Sequence, residues 1–409
     1  MKPIQLPSGV IPVAVSLAVN GVATYAFLAL ANSSLAPERY DELAVVWAAA
    51  YTIGPGLFQP VEQELSRAVS ERRARGLPIG DVLFKSAAVA VGLAVCLAGG
   101  LALGWSMDLL GFLGRGRAVL ALVIALLGFA GSEVVRGLLA GSGSFRGFAV
   151  YIAAEGVIRL VLLVVLGLLG LAESSLVLFA FATGFAASSM IAMAGHRFER
   201  RTHSSAPWRP YLGRVAVLAV AAVGEAVVLN IGPVAVSVLG AGLSGAYLNA
   251  LVIARVPVFF FQAVKVALLP HLAAAATKGD LASVKRSLRS VGLLIAGLGA
   301  VGVLLAAVVG PSAVELIFRD RPRAIDMTLL ASATAGLMFV ITLSVTLISL
   351  GRAGTTAGAW GGGLAVFAAL LAIDGDPRTR VGLALVGMVT VAALSQAAIV
   401  ARCLRGTGS

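Results

Sequence analysis

The chain has 409 residues, of which 59% are hydrophobic and 12% charged, with a formal net charge of +12 and a mean hydropathy of +0.98. That balance excludes an ordinary soluble domain and points to an all-α polytopic membrane protein. Cys96 and Cys403 offer no disulfide framework, and His196, His203 and His271 have no partner at ligand spacing, so neither a metal nor another cofactor is expected.

In chain order, apolar stretches of bilayer-spanning length cover approximately 10–31, 41–61, 82–103, 118–141, 147–170, 175–194, 214–238, 244–269, 290–309, 325–349, 356–373 and 381–401, about 12 spans in all. The first run ends in Ala29-Leu30-Ala31, which mimics a leader cleavage site, but it is too long for the apolar region of a signal peptide and reads as an uncleaved helix. The longest polar connections, 62–81, 195–213 and 271–289, are too short for a core of their own. The segments on their side of the membrane, termini included, hold 18 of the 31 arginines and lysines against 8 on the other side, which places them and both termini on the cytoplasmic side. After the second span, Val61, Leu65, Ala68 and Val69 recur at helical spacing, so an amphipathic helix lying on the inner leaflet is expected there. The bases are scattered over separate short loops, which argues against nucleic-acid binding and for attraction to anionic membrane lipids.

A weak repeat relates the two halves. A shift of 203 residues lays Phe58-Gln59 on Phe261-Gln262, Leu65 on Leu268 and Gly76 on Gly279. Residues 1–203 and 204–409 therefore read as two six-helix bundles related by a pseudo-twofold axis along the membrane normal.

Ionised side chains deep in a bilayer cost at least ~2.5–3.5 kcal/mol, so those present are the first functional candidates. Glu155 and Arg159 are four apart on one helix face, and Glu133 and Arg136 are three apart. Glu133 with Arg136 reads as a structural ion pair. Arg255 lies near mid-membrane with no opposite charge on its own helix, and Glu225 is its partner if those faces pack together. A water-filled cavity lined by Arg159, Arg255, Lys265 and Asn230 would suit a phosphate or carboxylate on a substrate, with Glu155 or Glu225 taking a coupling proton or cation. The alternative is that these groups only bridge helices. Asp374-Gly375-Asp376 has the look of a metal-nucleotide motif, but Asp-Gly is also ordinary turn chemistry.

The segment Phe58-Gln59-Pro60-Val61-Glu62-Gln63-Glu64-Leu65-Ser66-Arg67, followed by Arg72-Arg73-Ala74-Arg75-Gly76, resembles the end of the second helix in polysaccharide-biosynthesis membrane proteins of high-GC Gram-positive bacteria. With the twelve-helix layout, it makes the chain similar to polysaccharide (O-antigen type) export flippases, of the superfamily that also holds the multidrug and toxin extrusion transporters. The resemblance implies a bacterial plasma-membrane protein that is not an enzyme. It implies translocation of an undecaprenyl-pyrophosphate-linked oligosaccharide by alternating access, alongside polysaccharide glycosyltransferases or a polymerase. The resemblance leaves the cavity residues unassigned; they come from depth in the bilayer alone. A multidrug or small-solute antiporter of the same superfamily is the main rival. A major-facilitator transporter lacks its signature after the second helix, and the short outer loops leave little room for a glycosyltransferase site. No Walker A run is present for direct ATP drive.

Overall fold

The computed structural model describes residues 10–172, 175–194, 207–240, 242–258, 261 and 281–405. Among them the structure is all-α. The helices are α1 (Val10–Ser34), α2 (Pro37–Ala74), α3 (Gly80–Ser106), α4 (Gly116–Gly141), α5 (Phe145–Leu168), α6 (Leu176–Met193), α7 (Trp208–Asn230), α8 (Gly232–Val238) and α9 (Ser244–Ala254). They continue with α10 (Leu281–Val308), α11 (Gly310–Phe318), α12 (Ala324–Ser349), α13 (Ala353–Leu371) and α14 (Pro377–Arg405). Among the described residues, ten helices are long and apolar enough to cross a membrane. The expected span 41–61 lies within α2, whereas the expected span 244–269 is described only to Val258 and at Phe261. Large apolar side chains face outward along the helices, Val22 at 72%, Leu168 at 83% and Leu316 at 85% exposure, as a hydrocarbon solvent requires.

The chain divides into two compact units, Met1–Ala219 and Val220–Ser409, and the division falls inside α7. In the first unit α1 packs on α5, α2 on α4, α3 on α4, and α4 and α5 both on α6. In the second, α9 and α10 pack on α12, and α12 and α13 on α14. Among the described residues, the second, third and fifth spans of each half thus share a partner, the fourth span for the first two and the sixth for the last.

Glycine sets the closest approaches. A Cβ on Gly137 or Gly141 of α4 would lie 2.8 Å from the Glu62 carbonyl or 2.6 Å from the Ser66 carbonyl of α2, so this Gly-x-x-x-Gly edge lets two backbones meet. The expected surface helix after the second span is instead an unbroken continuation of α2. At 1.5 Å per residue its 38 residues reach about 57 Å, well beyond a hydrocarbon core of about 30 Å. Its apolar stripe is spent on protein rather than on lipid: Leu65, Ala68 and Val69 cluster with Val82 of α3 and Leu138 of α4.

Where a single seventh span is expected, α7 gives way to α8 at Ile231. Pro233 causes this, because it has no N–H to return to the carbonyl four residues earlier, that of Leu229. α9 stops at Ala254 for a related reason. Pro257 has no N–H to return to the carbonyl of Ile253, and Arg255 is left at the C-cap, with helical geometry resuming at 256–258.

Candidate functional site

Three helices of the first unit each contribute a pair of residues four apart, and the pairs converge. They are Trp47 and Tyr51 on α2, Glu155 and Arg159 on α5, and Phe181 and Phe185 on α6. Arg159 donates from Nη2 to Glu155 Oε1 at 2.7 Å and from Nη1 to the Tyr51 hydroxyl at 2.6 Å, while that hydroxyl donates to Glu155 at 3.1 Å. The guanidinium carbon lies 4.1 Å from the ring centre of Phe185 and 5.3 Å from that of Phe181, with Tyr51 and Trp47 beyond. Phe129 of α4 closes the cluster at 4.0 Å from Phe185, centre to centre. Gly184 makes the space, since a Cβ there would meet the Arg159 side chain at 2.7 Å. The pair expected from its spacing is thus present, but Arg159 is only 1% exposed and enclosed, rather than lining an open cavity. Its charge is matched by Glu155 and its faces by aromatic rings, each such contact supplying up to ~2 kcal/mol when desolvated. Aromatic spacing on the second and sixth spans was the signal for this enclosure, and charge-based reading passes over it.

A second constellation lies on α4. Arg136 donates to Glu133 Oε1 at 2.9 Å, and its other terminal nitrogen lies 3.2 Å from Glu62 Oε2 of α2. Its guanidinium also sits over the rings of Phe148 and Tyr151, at 5.8 and 5.9 Å. Glu133 is 1% exposed, so two carboxylates share one arginine in a dry setting. Their sum is one negative charge, which a proton or a monovalent cation would neutralise. The sequence gives the Glu133–Arg136 pair by its spacing. Glu62 enters because α2 continues as a helix past its membrane span.

In the second unit Arg255 meets the interrupted helix. Its Nη1 donates to Asn230 Oδ1 at 2.8 Å and reaches the Leu229 carbonyl at 3.5 Å, the outer limit of a hydrogen bond. This is the carbonyl that Pro233 leaves without its helical donor, and a cation there also suits the negative end of the α7 dipole. Asn230 is buried and donates back to the Ala226 carbonyl at 3.2 Å. Arg255 is held at Asn230, and Glu225 is half-buried on the same helix, α7. Lys265 lies outside the described residues. Arg159 and Arg255 belong to different compact units.

At the far end of the second unit, Asp376 accepts from the Thr379 backbone at 3.0 Å, from the Thr379 hydroxyl at 2.9 Å and from Arg323 at 2.6 Å. These are the bonds of an N-cap on α14, with Pro377 in the first turn, so the Asp-Gly-Asp run does capping work. The Thr379 N–H and the Arg323 guanidinium pull the Asp376 carboxyl down to about 2. Arg323 also holds the buried Asp326 through two bonds, at 2.6 and 2.9 Å.

No protein-family model matches the chain. It is 28% identical over 352 residues to an uncharacterized protein of Mycobacterium tuberculosis (strain ATCC 25618 / H37Rv), covering 82% of this chain and 78% of the relative. An uncharacterized protein of Mycobacterium bovis matches to the same extent. Among solved structures, an inward-facing multidrug resistance MATE family transporter of the MOP superfamily superposes with a TM-score of 0.71 at 14% identity, covering 97% of this chain and 100% of that one. An outward-facing structure of such a transporter gives 0.64 at 15% identity, covering 97% and 95%. A MOP superfamily transporter from Pyrococcus furiosus, described by a binding pocket of reverse polarity and a different function, gives 0.60 at 14%, covering 96% of both chains. At this level of identity the likeness establishes the fold: a polytopic membrane protein built like the MATE transporters of the MOP superfamily.

Proposed function

We propose that the protein is a plasma-membrane transporter that moves an anionic, lipid-linked oligosaccharide of the undecaprenyl-pyrophosphate type outward by alternating access. The observation that carries this reading is Arg255, a cation placed at the interruption between α7 and α8 and next to the stop of α9. Interrupted helices near mid-membrane are where transporters of repeat architecture place substrate groups, and a guanidinium suits a pyrophosphate. Arg159, matched by Glu155 and Tyr51 inside its aromatic enclosure, is read as a structural group of the first unit. Coupling fits Glu62, Glu133 and Arg136 better than Glu155, whose charge Arg159 already matches. Glu225 remains the corresponding acid in the second unit.

The test is made in cells lacking the protein, by extracting lipids after leaflet-selective labelling. A lipid-linked oligosaccharide should accumulate on the cytoplasmic side, be cleared by the intact gene and persist with Arg255→Gln. A second reading, extrusion of drugs or small solutes, draws on the fold shared with multidrug resistance transporters. It predicts no lipid accumulation and new sensitivity to cationic drugs in the same cells.

A further inference from the structure

A basic cavity of ≈ 240 Å³ lies within the first unit, where the ends of α2, α3 and α7 meet. Arg67, Arg72, Arg75, Lys85 and Arg214 line it, against the two carboxylates Glu64 and Glu71. Asp81 stands behind, at 3.2 Å from Arg72 and 2.9 Å from Lys85, so the cluster keeps a net positive charge. Its geometry is set by Glu64, which is 1% exposed and accepts two bonds from Arg67, each at 2.8 Å, and one from Arg214 Nε at 2.7 Å. Burial alone raises the Glu64 carboxyl, but the bonds from Arg67 and Arg214 outweigh it and hold the group below its ordinary value. The ionised carboxylate thus fixes both guanidinium groups.

Arg214 spends only Nε on Glu64, and Arg75 only Nη2 on Glu71, at 2.9 Å. Among the described residues no protein group takes the two Nη nitrogens of Arg214, and its side chain is 48% exposed. Apolar side chains flank the cavity: Leu77 lines it, and Trp208 and Phe84 lie beside its Lys85. Leu77, Phe84 and Trp208 are 48%, 67% and 41% exposed, Phe84 and Trp208 meet edge to face at 6.4 Å, and the Lys85 ammonium lies 5.8 Å from the Trp208 ring. Outward-facing Trp and Phe beside cations at the end of a spanning helix mark the depth of lipid headgroups.

We propose that this cavity binds the phosphate of an anionic phospholipid, with the spare donors of Arg214 and Arg75 on the phosphate and the acyl chains leaving over Leu77, Phe84 and Trp208. A free phosphate ion shares the polar chemistry but has no use for the apolar flank. The site goes beyond the transport reading, because the ligand is a membrane lipid bound at the edge of one unit and no transport enters its test.

The experiment is native mass spectrometry of the full-length protein from detergent, with phosphatidylglycerol or phosphatidylcholine added, and with inorganic phosphate as competitor. The wild type should retain phosphatidylglycerol about tenfold over phosphatidylcholine, the scale of one lost charge-assisted contact. Arg75→Ala with Arg214→Ala should remove that preference. Arg321→Ala, at an exposed arginine of the second unit, should leave it unchanged. Should the double variant fail to fold, Arg214→Gln alone carries the test, with a several-fold loss expected. Equal retention of the two lipids by the wild type, or an undiminished preference in a folded variant, overturns the proposal. Displacement of the lipid by equimolar inorganic phosphate also overturns it, by making the site one for the free ion.

Discussion

Pro233 and Arg255 act on the same backbone atom: the proline withholds an N–H from the Leu229 carbonyl, and the arginine brings its Nη1 to within 3.5 Å of it. The interruption of α7 and the position of the charge are therefore one feature. Pro233→Ala restores the missing donor and should stabilise the helix by about 1 kcal/mol, less than the ~3 kcal/mol of a mid-helix proline because α8 already starts there. It should also slow transport several-fold, since Arg255 loses an anchor and the helix its joint. Thermal unfolding and the leaflet-resolved lipid measurement check the two halves. A variant with higher stability and unchanged transport would remove the interruption from the mechanism.

Glu155 and Arg159 make a stability prediction of a different kind. Removing one member of a buried ion pair leaves an uncompensated charge and costs about 3–5 kcal/mol, whereas replacing both by apolar groups costs far less. Glu155→Ala should therefore lower the thermal midpoint sharply, and Glu155→Leu with Arg159→Met should recover much of the loss. Gly184→Ala should destabilise by about 1–3 kcal/mol, because its Cβ falls on the Arg159 side chain at 2.7 Å. Unfolding of the four proteins in one detergent decides the matter; a double variant no more stable than Glu155→Ala would mean that the charges do not pair.

The legible part of this architecture is the part set by local periodicity. Apolar run length places the spans, and spacing of three or four places Glu133 with Arg136 and Glu155 with Arg159. What spacing cannot give is the third partner, because it comes from another helix. Tyr51 and Glu62 of α2 and Asn230 of α7 enter through packing, so Arg159 reads as a cavity cation until Tyr51 and three further aromatic rings enclose it. The stripe Val61, Leu65, Ala68 and Val69 has the period of a helix face, but period alone does not say whether lipid or protein covers it; here α3 and α4 cover Leu65, Ala68 and Val69, and α7 covers Val61. The second unit follows the same rule: Pro233 and Pro257 are visible as helix breakers, yet only the fold brings Leu229 and Arg255 to one point.

The Glu62, Glu133 and Arg136 group predicts how a coupling acid behaves. Glu133→Gln leaves Arg136 with one carboxylate, Glu62, and turns a net negative cluster neutral without changing its shape. Folding stability should be equal to the wild type or slightly higher, within about 1 kcal/mol. Proton- or cation-driven transport in proteoliposomes should fall at least tenfold, with its dependence on the imposed gradient flattened. Loss of transport with the gradient dependence intact would place the coupling elsewhere, and Glu225→Gln would be the next variant.

Asp376 gives a pH test confined to the exposed cap of α14. Its folded value of about 2 lies below its ordinary 3.8, so the cap is stabilising above the ordinary value and loses that contribution as pH falls from near 4 through 2. The wild type should therefore show a decline in thermal midpoint across that window. Asn keeps the N-cap acceptor for the Thr379 N–H but carries no charge for Arg323, so Asp376→Asn should start lower at neutral pH and decline less below pH 4. The effect is small, because the carboxylate and Arg323 are 43% and 39% exposed and water screens the pair. Parallel curves for the two proteins from pH 5 to 2 would mean that the acid decline does not come from this cap.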